Sequence, residues 1–74
     1  MTLKEVEPGQ TCTVCSVTEG NDSIRHRIFD MGVTPGVKIT MVKVAPLGDP
    51  IEVVVRGYNL SLRKKEAELI EVEE

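Results

Sequence analysis

The sequence predicts a mainly β fold: five short strands bent into a small barrel, with one short amphipathic helix inserted after the first strand. Two observations carry this reading. Between Phe29 and Arg63, four kinds of turn chemistry punctuate the chain, at Met31-Gly32-Val33, Thr34-Pro35-Gly36, Gly48-Asp49-Pro50 and Gly57. Between those turns the apolar side chains alternate with the period of two that half-buried strands require. At 74 residues the chain makes one domain, residues 1–74, with no internal repeat or linker. A chain this short buries only about 60% of its unfolded surface. With one Phe, one Tyr and no Trp, its core must come from Val, Ile, Leu and Met.

Taken in order, Thr2 to Val6 reads as a single turn with Leu3 and Val6 inward, ended by Pro8-Gly9. Thr11 to Val17 is the first strand, and its apolar parity shifts between Val14 and Cys15, the mark of a bulge or a strand end. Asn21, Asp22 or Ser23 can cap a helix through a side-chain oxygen. Ile24, Ile28 and Met31 then form one apolar stripe at i, i+4 and i+7. Gly32 suits the left-handed residue that ends such a helix, with Val33 folding back against it. The helix is expected to plug one end of the barrel.

Val37, Ile39 and Met41 point inward along the second strand, and Ile51, Val53 and Val55 are the inward set of the third, with Glu52 outward. Val42, Val44 and Val54 lie on the other side, so the outer face is partly apolar. Gly57 permits a close bend. Tyr58, Leu60 and Leu62 alternate along a fourth strand, Lys64 to Ala67 favours a helical turn, and Glu68 to Val72 forms the last strand. Five short strands with a helix after the first describe an SH3-like barrel, whose closure limits exposed strand edges. In this layout Gly32, Pro35, Gly36, Gly48, Pro50 and Gly57 are structural turn residues.

The net charge of −3, with acid gathered at Glu66, Glu68, Glu71, Glu73 and Glu74, argues against nucleic acid as a partner. The basic clusters Arg25–Arg27 and Arg63–Lys65 are flanked by carboxylates and read as solvated faces. No apolar run approaches the roughly 20 residues that cross a bilayer, so no membrane insertion is expected. MTLKEVEPGQ lacks the apolar core of a signal peptide, which points to a cytoplasmic location.

Chemistry is sparse. Cys12 and Cys15 have C-x-x-C spacing, but on a regular strand they face opposite sides, and no second pair or His cluster completes a zinc or redox site. They read as small buried apolar residues. His26, the one histidine, lies between Arg25 and Arg27, which disfavours a bound cation. Asp30 and Glu52 belong to unrelated elements and form no acid–base pair. No catalytic, metal or cofactor-binding set emerges, and the expectation is a protein that works by presenting a surface. Arg25, Arg27, Phe29, Arg56, Tyr58 and the Ala45–Pro50 loop with Leu47 are its candidates, being of the types enriched at interfaces or exposed at a loop tip.

Ile28-Phe29-Asp30-Met31-Gly32-Val33-Thr34-Pro35-Gly36 resembles the L-x-D-M-G-hydrophobic-x-P-G signature of the FeoA family. Ala45-Pro46-Leu47-Gly48-Asp49-Pro50-Ile51, Val55-Arg56-Gly57-Tyr58 and the run Leu62–Ala67 resemble its APLGDP loop, RGY turn and LRKKEA stretch. The similarity runs from about Leu3 to Val72, nearly the whole chain. The resemblance implies an SH3-like cytoplasmic domain that assists ferrous-iron uptake alongside FeoB, a membrane transporter with a cytosolic guanine-nucleotide-binding domain. It implies an adaptor or regulator rather than an enzyme. The alternative it leaves is the metal-responsive SH3-like module of a transcriptional repressor, although no helix-turn-helix precedes the barrel here.

Overall fold

The structure, a computed structural model, describes residues 1–18 and 22–74. The expected cap at Asn21 lies outside the described residues. Five strands, β1 (Thr11–Val17), β2 (Lys38–Val44), β3 (Ile51–Val55), β4 (Tyr58–Leu62) and β5 (Ile70–Glu73), form one antiparallel sheet in the order β4-β3-β2-β1-β5. A turn of 3-10 helix (Leu3–Glu5) precedes β1, helix α1 (Asp22–Asp30) follows it, and the short helix α2 (Lys64–Ala67) joins β4 to β5.

Period-two alternation puts one face of each strand inside. Cys12 and Val14 of β1, Ile39 and Met41 of β2, Ile51, Val53 and Val55 of β3, and Ile70 and Val72 of β5 all reach the core. From outside the sheet, Leu3, Val6, Ile28, Val33 and Ala67 complete it. Full burial of an aliphatic side chain of this size contributes about 1.5–3 kcal/mol, so these few residues supply much of the stability.

Two bulges re-aim the strands. The β1–β5 register shifts between Val14 and Ser16, so that Val14 and Val17 are both buried. This corrects the expectation that both cysteines are buried: alternation from the buried Cys12 and Val14 puts Cys15 on the solvent face, and the bulge returns Val17 to the core. The β2–β3 register shifts between Met41 and Lys43, and beyond it Val42 and Val44 stand exposed.

The expected closure into a barrel is absent, because β4 and β5 end the hydrogen-bonded order and do not pair. The reason is local. Residues 63–69 leave strand geometry for α2, with Glu68 N–H donating to the Lys64 carbonyl and Leu69 N–H to the Glu66 carbonyl. The last strand therefore starts at Ile70 rather than Glu68 and joins the sheet beside β1. Its other edge is met by the N-terminus: Thr2 bridges Glu71, and Val72 N–H donates to the Met1 carbonyl at 2.9 Å.

Candidate functional site

Helix α1 ends in a Schellman motif. Gly32 N–H donates to the Phe29 carbonyl at 2.9 Å and Val33 N–H to the Ile28 carbonyl at 3.3 Å, with Gly32 at φ +90°. The β3–β4 hairpin then reaches over this end. Its two-residue turn, Arg56-Gly57, has φ +51° and +83°, the doubly left-handed geometry that matches strand twist in a tight hairpin. The turn brings the Tyr58 hydroxyl to the Met31 carbonyl at 2.6 Å and Arg56 Nε to the Gly32 carbonyl at 3.4 Å. The Tyr58 hydroxyl satisfies a carbonyl that the helix end leaves without a partner, and the Arg56 cation sits at the negative pole of the helix dipole. Tyr58 is nevertheless 45% exposed, so the remainder of the ring stays available at the surface.

The other arginines also have partners within the chain. Arg25 Nε donates to the Val17 carbonyl at 3.2 Å and its guanidinium lies 5.3 Å from the centre of the Phe29 ring, a cation–π contact. With Asp22 and the exposed His26, these two residues line a shallow cleft of about 210 Å³. Arg27 Nε lies 3.5 Å from Oε2 of Glu66.

The β2–β3 loop is the most exposed apolar feature. Gly48, at φ +83°, donates its N–H to the Ala45 carbonyl at 2.7 Å, so the loop folds on itself and thrusts Leu47 outward, 92% exposed. The Asp49–Pro50 bond is cis. Lone exposed apolar residues are ordinary. Here, however, Val44, Ala45, Pro46 and Pro50 line a groove of about 340 Å³ at the base of the same loop, together with Lys43 and Glu52. Exposed Val42 extends the apolar character of this region.

Glu66, one of the acidic residues gathered toward the end of the sequence, is buried. Its Oε1 accepts from Arg63 N–H at 2.8 Å, the half of a capping box in which the third helical residue reaches back to the N-cap. The Arg63-x-x-Glu66 spacing carried that signal, and Arg63 in place of Ser or Thr at the cap obscured it. Asp49 Oδ1 accepts from Lys64 N–H at 3.0 Å and so ties the β2–β3 loop to the start of α2.

Among the described residues no group of three or more His, Cys, Asp or Glu side chains is placed to hold a metal ion. The Cys12 thiol contacts the Ile39 carbonyl at 3.6 Å. Burial pushes its pKa up, with smaller contributions from Glu74 and Cys15. Such a thiol stays protonated and inert at neutral pH.

The FeoA domain family model matches residues 1–74. Over 73 residues the chain is 42% identical to an Fe(2+) transport protein A/Fe(2+) transporter FeoB fusion protein of Porphyromonas gingivalis, covering 99% of this chain and 8% of that protein's length. The NMR structure of a FeoA-like protein from Clostridium acetobutylicum superposes with a TM-score of 0.90 at 42% identity, covering 99% of this chain and 84% of that one. FeoA of Stenotrophomonas maltophilia, described as a procaryotic SH3 domain protein and crystallised with zinc, superposes with a TM-score of 0.86 at 33% identity, covering 99% and 89%.

Proposed function

The chain belongs to the FeoA family of ferrous-iron transport accessory domains, and from that premise we propose that it is a cytoplasmic, non-catalytic regulator that docks on a FeoB-type iron transporter. The observation that carries this reading is the Porphyromonas gingivalis relative, in which a matching segment and a FeoB transporter share one polypeptide. Fusion holds two modules at high effective concentration, an arrangement that serves modules which act in contact. None of the described helices is long and apolar enough to cross a membrane.

The exposed Leu47 loop and the groove beneath it supply the apolar part of a docking surface. Arg25, Arg27 and Phe29 on α1 and Arg56 and Tyr58 at the β3–β4 turn are its further candidates. A small domain regulates a transporter if it binds one of the transporter's conformations better than the others; the shift it produces is limited to that difference in affinity. Uptake of radiolabelled Fe²⁺ by cells deleted for the chain and complemented with wild type or Leu47→Asp tests the proposal. Deletion lowers uptake, wild type restores it, and Leu47→Asp restores it poorly. Unchanged uptake on deletion would refute the reading.

A further inference from the structure

The hydrogen-bonded order of the sheet ends at β4 on one side and at β5 on the other. The N-terminus meets the β5 edge, through Thr2 and the Met1 carbonyl. Among the described residues nothing corresponding covers β4, and no other segment bonds to the outer side of its backbone. The register with β3 runs from Val55↔Tyr58 to Ile51↔Leu62 without a shift. Hydrogen-bonded pairs alternate along such a ladder, and a two-residue turn makes Val55 and Tyr58 the first of them. Tyr58, Leu60 and Leu62 therefore direct their N–H and C=O groups to β3, while Asn59 and Ser61 aim theirs outward.

Edges that must stay unpaired are blunted by proline, charge or a bulge. Tyr58–Leu62 has none of these. The side chains point the same way. Tyr58, Leu60 and Leu62 share the core-facing side, yet Leu60 is only half-buried and Tyr58 is 45% exposed. A strand laid against β4 would cover both. The surrounding charges narrow what that strand is. Ser61 also lines an open cleft of about 470 Å³ with Arg27, Asp49, Pro50, Arg63 and Glu66. This lining carries both signs, with Arg27 paired to Glu66 at 3.5 Å and Asp49 holding the Lys64 N–H, so it favours no net charge in a visitor. A second copy of the chain fits poorly. Antiparallel β4–β4 pairing centred on Leu60, the register that pairs the whole strand, brings Arg56 of each chain toward Lys64 of the other.

We propose that the free edge of β4 is where a protein partner adds a strand: an extended segment without net charge, alternating apolar and polar, whose main chain pairs with Asn59 and Ser61 and whose apolar side chains cover Tyr58 and Leu60. Strand addition draws affinity from main-chain hydrogen bonds and specificity from alternate side chains. The inference rests on the docking reading above and names the mode of contact at its β3–β4 candidate surface.

Binding to the purified FeoB-type transporter in lipid nanodiscs tests it, through hydrogen exchange of the wild-type chain and the affinity of Ser61→Pro. In the chain alone, the Asn59 and Ser61 amides should exchange fast and those of Tyr58, Leu60 and Leu62 slowly. With the transporter bound, the fast exchange within residues 58–62 should disappear. Ser61→Pro removes an outward N–H that no strand of the chain uses, so it should melt nearly as wild type does and bind at least about tenfold more weakly. Should that variant fail to fold, the exchange measurement decides alone. Fast exchange that persists in the complex, or a folded Ser61→Pro chain that binds as wild type does, overturns strand addition and leaves docking standing. Slow exchange of Asn59 and Ser61 in the chain alone shows an edge already covered, by the chain itself or by a second copy, and also overturns it. A wild-type chain without affinity for the transporter removes docking, and the added strand with it.

Discussion

A β-carbon built on Gly32 would lie 2.9 Å from the Tyr58 hydroxyl, whereas one on Gly57 would meet nothing within 4 Å, although both residues have positive φ. Left-handed backbone costs a residue with a β-carbon about 1–2 kcal/mol. Gly57→Ala should therefore lose about that much in urea denaturation, and Gly32→Ala should lose more. In a Tyr58→Phe background, which removes the clashing oxygen, the excess at Gly32 should shrink; equal losses at the two glycines in the wild-type background would contradict the geometry. The two cysteines separate just as clearly. Iodoacetamide should label Cys15 in the folded protein and Cys12 only after unfolding, checked by mass spectrometry. Because burial raises the Cys12 pKa in the folded state, the native protein holds that proton more tightly than the unfolded chain does. Its stabilising contribution is complete below the free-thiol value, about 8.5, and is lost as pH rises through the folded value. Stability should fall less steeply in alkali for Cys12→Ala than for wild type. The C-x-x-C spacing put the two thiols on opposite faces of the strand, and the apolar character of cysteine hid that one of those faces is solvent.

At the scale of elements, the β3–β4 hairpin acts as the cap of α1. Tyr58→Phe removes a neutral hydrogen bond to the Met31 carbonyl and should lower stability by about 0.5–1.5 kcal/mol in thermal or urea melts. Arg56 and Tyr58 were legible in the sequence as surface residues, and their tie to α1 was not, because a helix cap supplied from 24 or more residues away leaves no local pattern. Gly32 and the apolar stripe of α1 were legible because Schellman chemistry is local. Helix α2 offers a second test. Glu66→Gln keeps the acceptor for Arg63 N–H, while Glu66→Ala removes it and opens a buried cavity. The Ala variant should be the less stable of the two by about 1 kcal/mol, the usual worth of a helix cap. Equal melting of the pair would show that the cap contributes nothing.

At the scale of the molecule, the five strands and their order of appearance follow from turn residues and alternation. The open sheet does not, because whether β4 meets β5 depends on how α2 redirects the chain. The exposed loop around Leu47 was foreseeable from the Gly48-Asp49-Pro50 turn, while the cleft floored by Glu66 required the tertiary structure to bring residues 27, 49 and 66 together. The central claim is that the chain works by docking its surface on a FeoB-type transporter. The most direct measurement is the affinity of wild type and Leu47→Asp for the purified transporter in lipid nanodiscs, with thermal melts of each variant alongside. A residue 92% exposed contributes little to folding, so Leu47→Asp should melt as wild type does while binding at least about tenfold more weakly, as expected when an interface anchor is lost. A wild-type chain with no measurable affinity, or a folded Leu47→Asp chain that binds as tightly as wild type, would contradict the account.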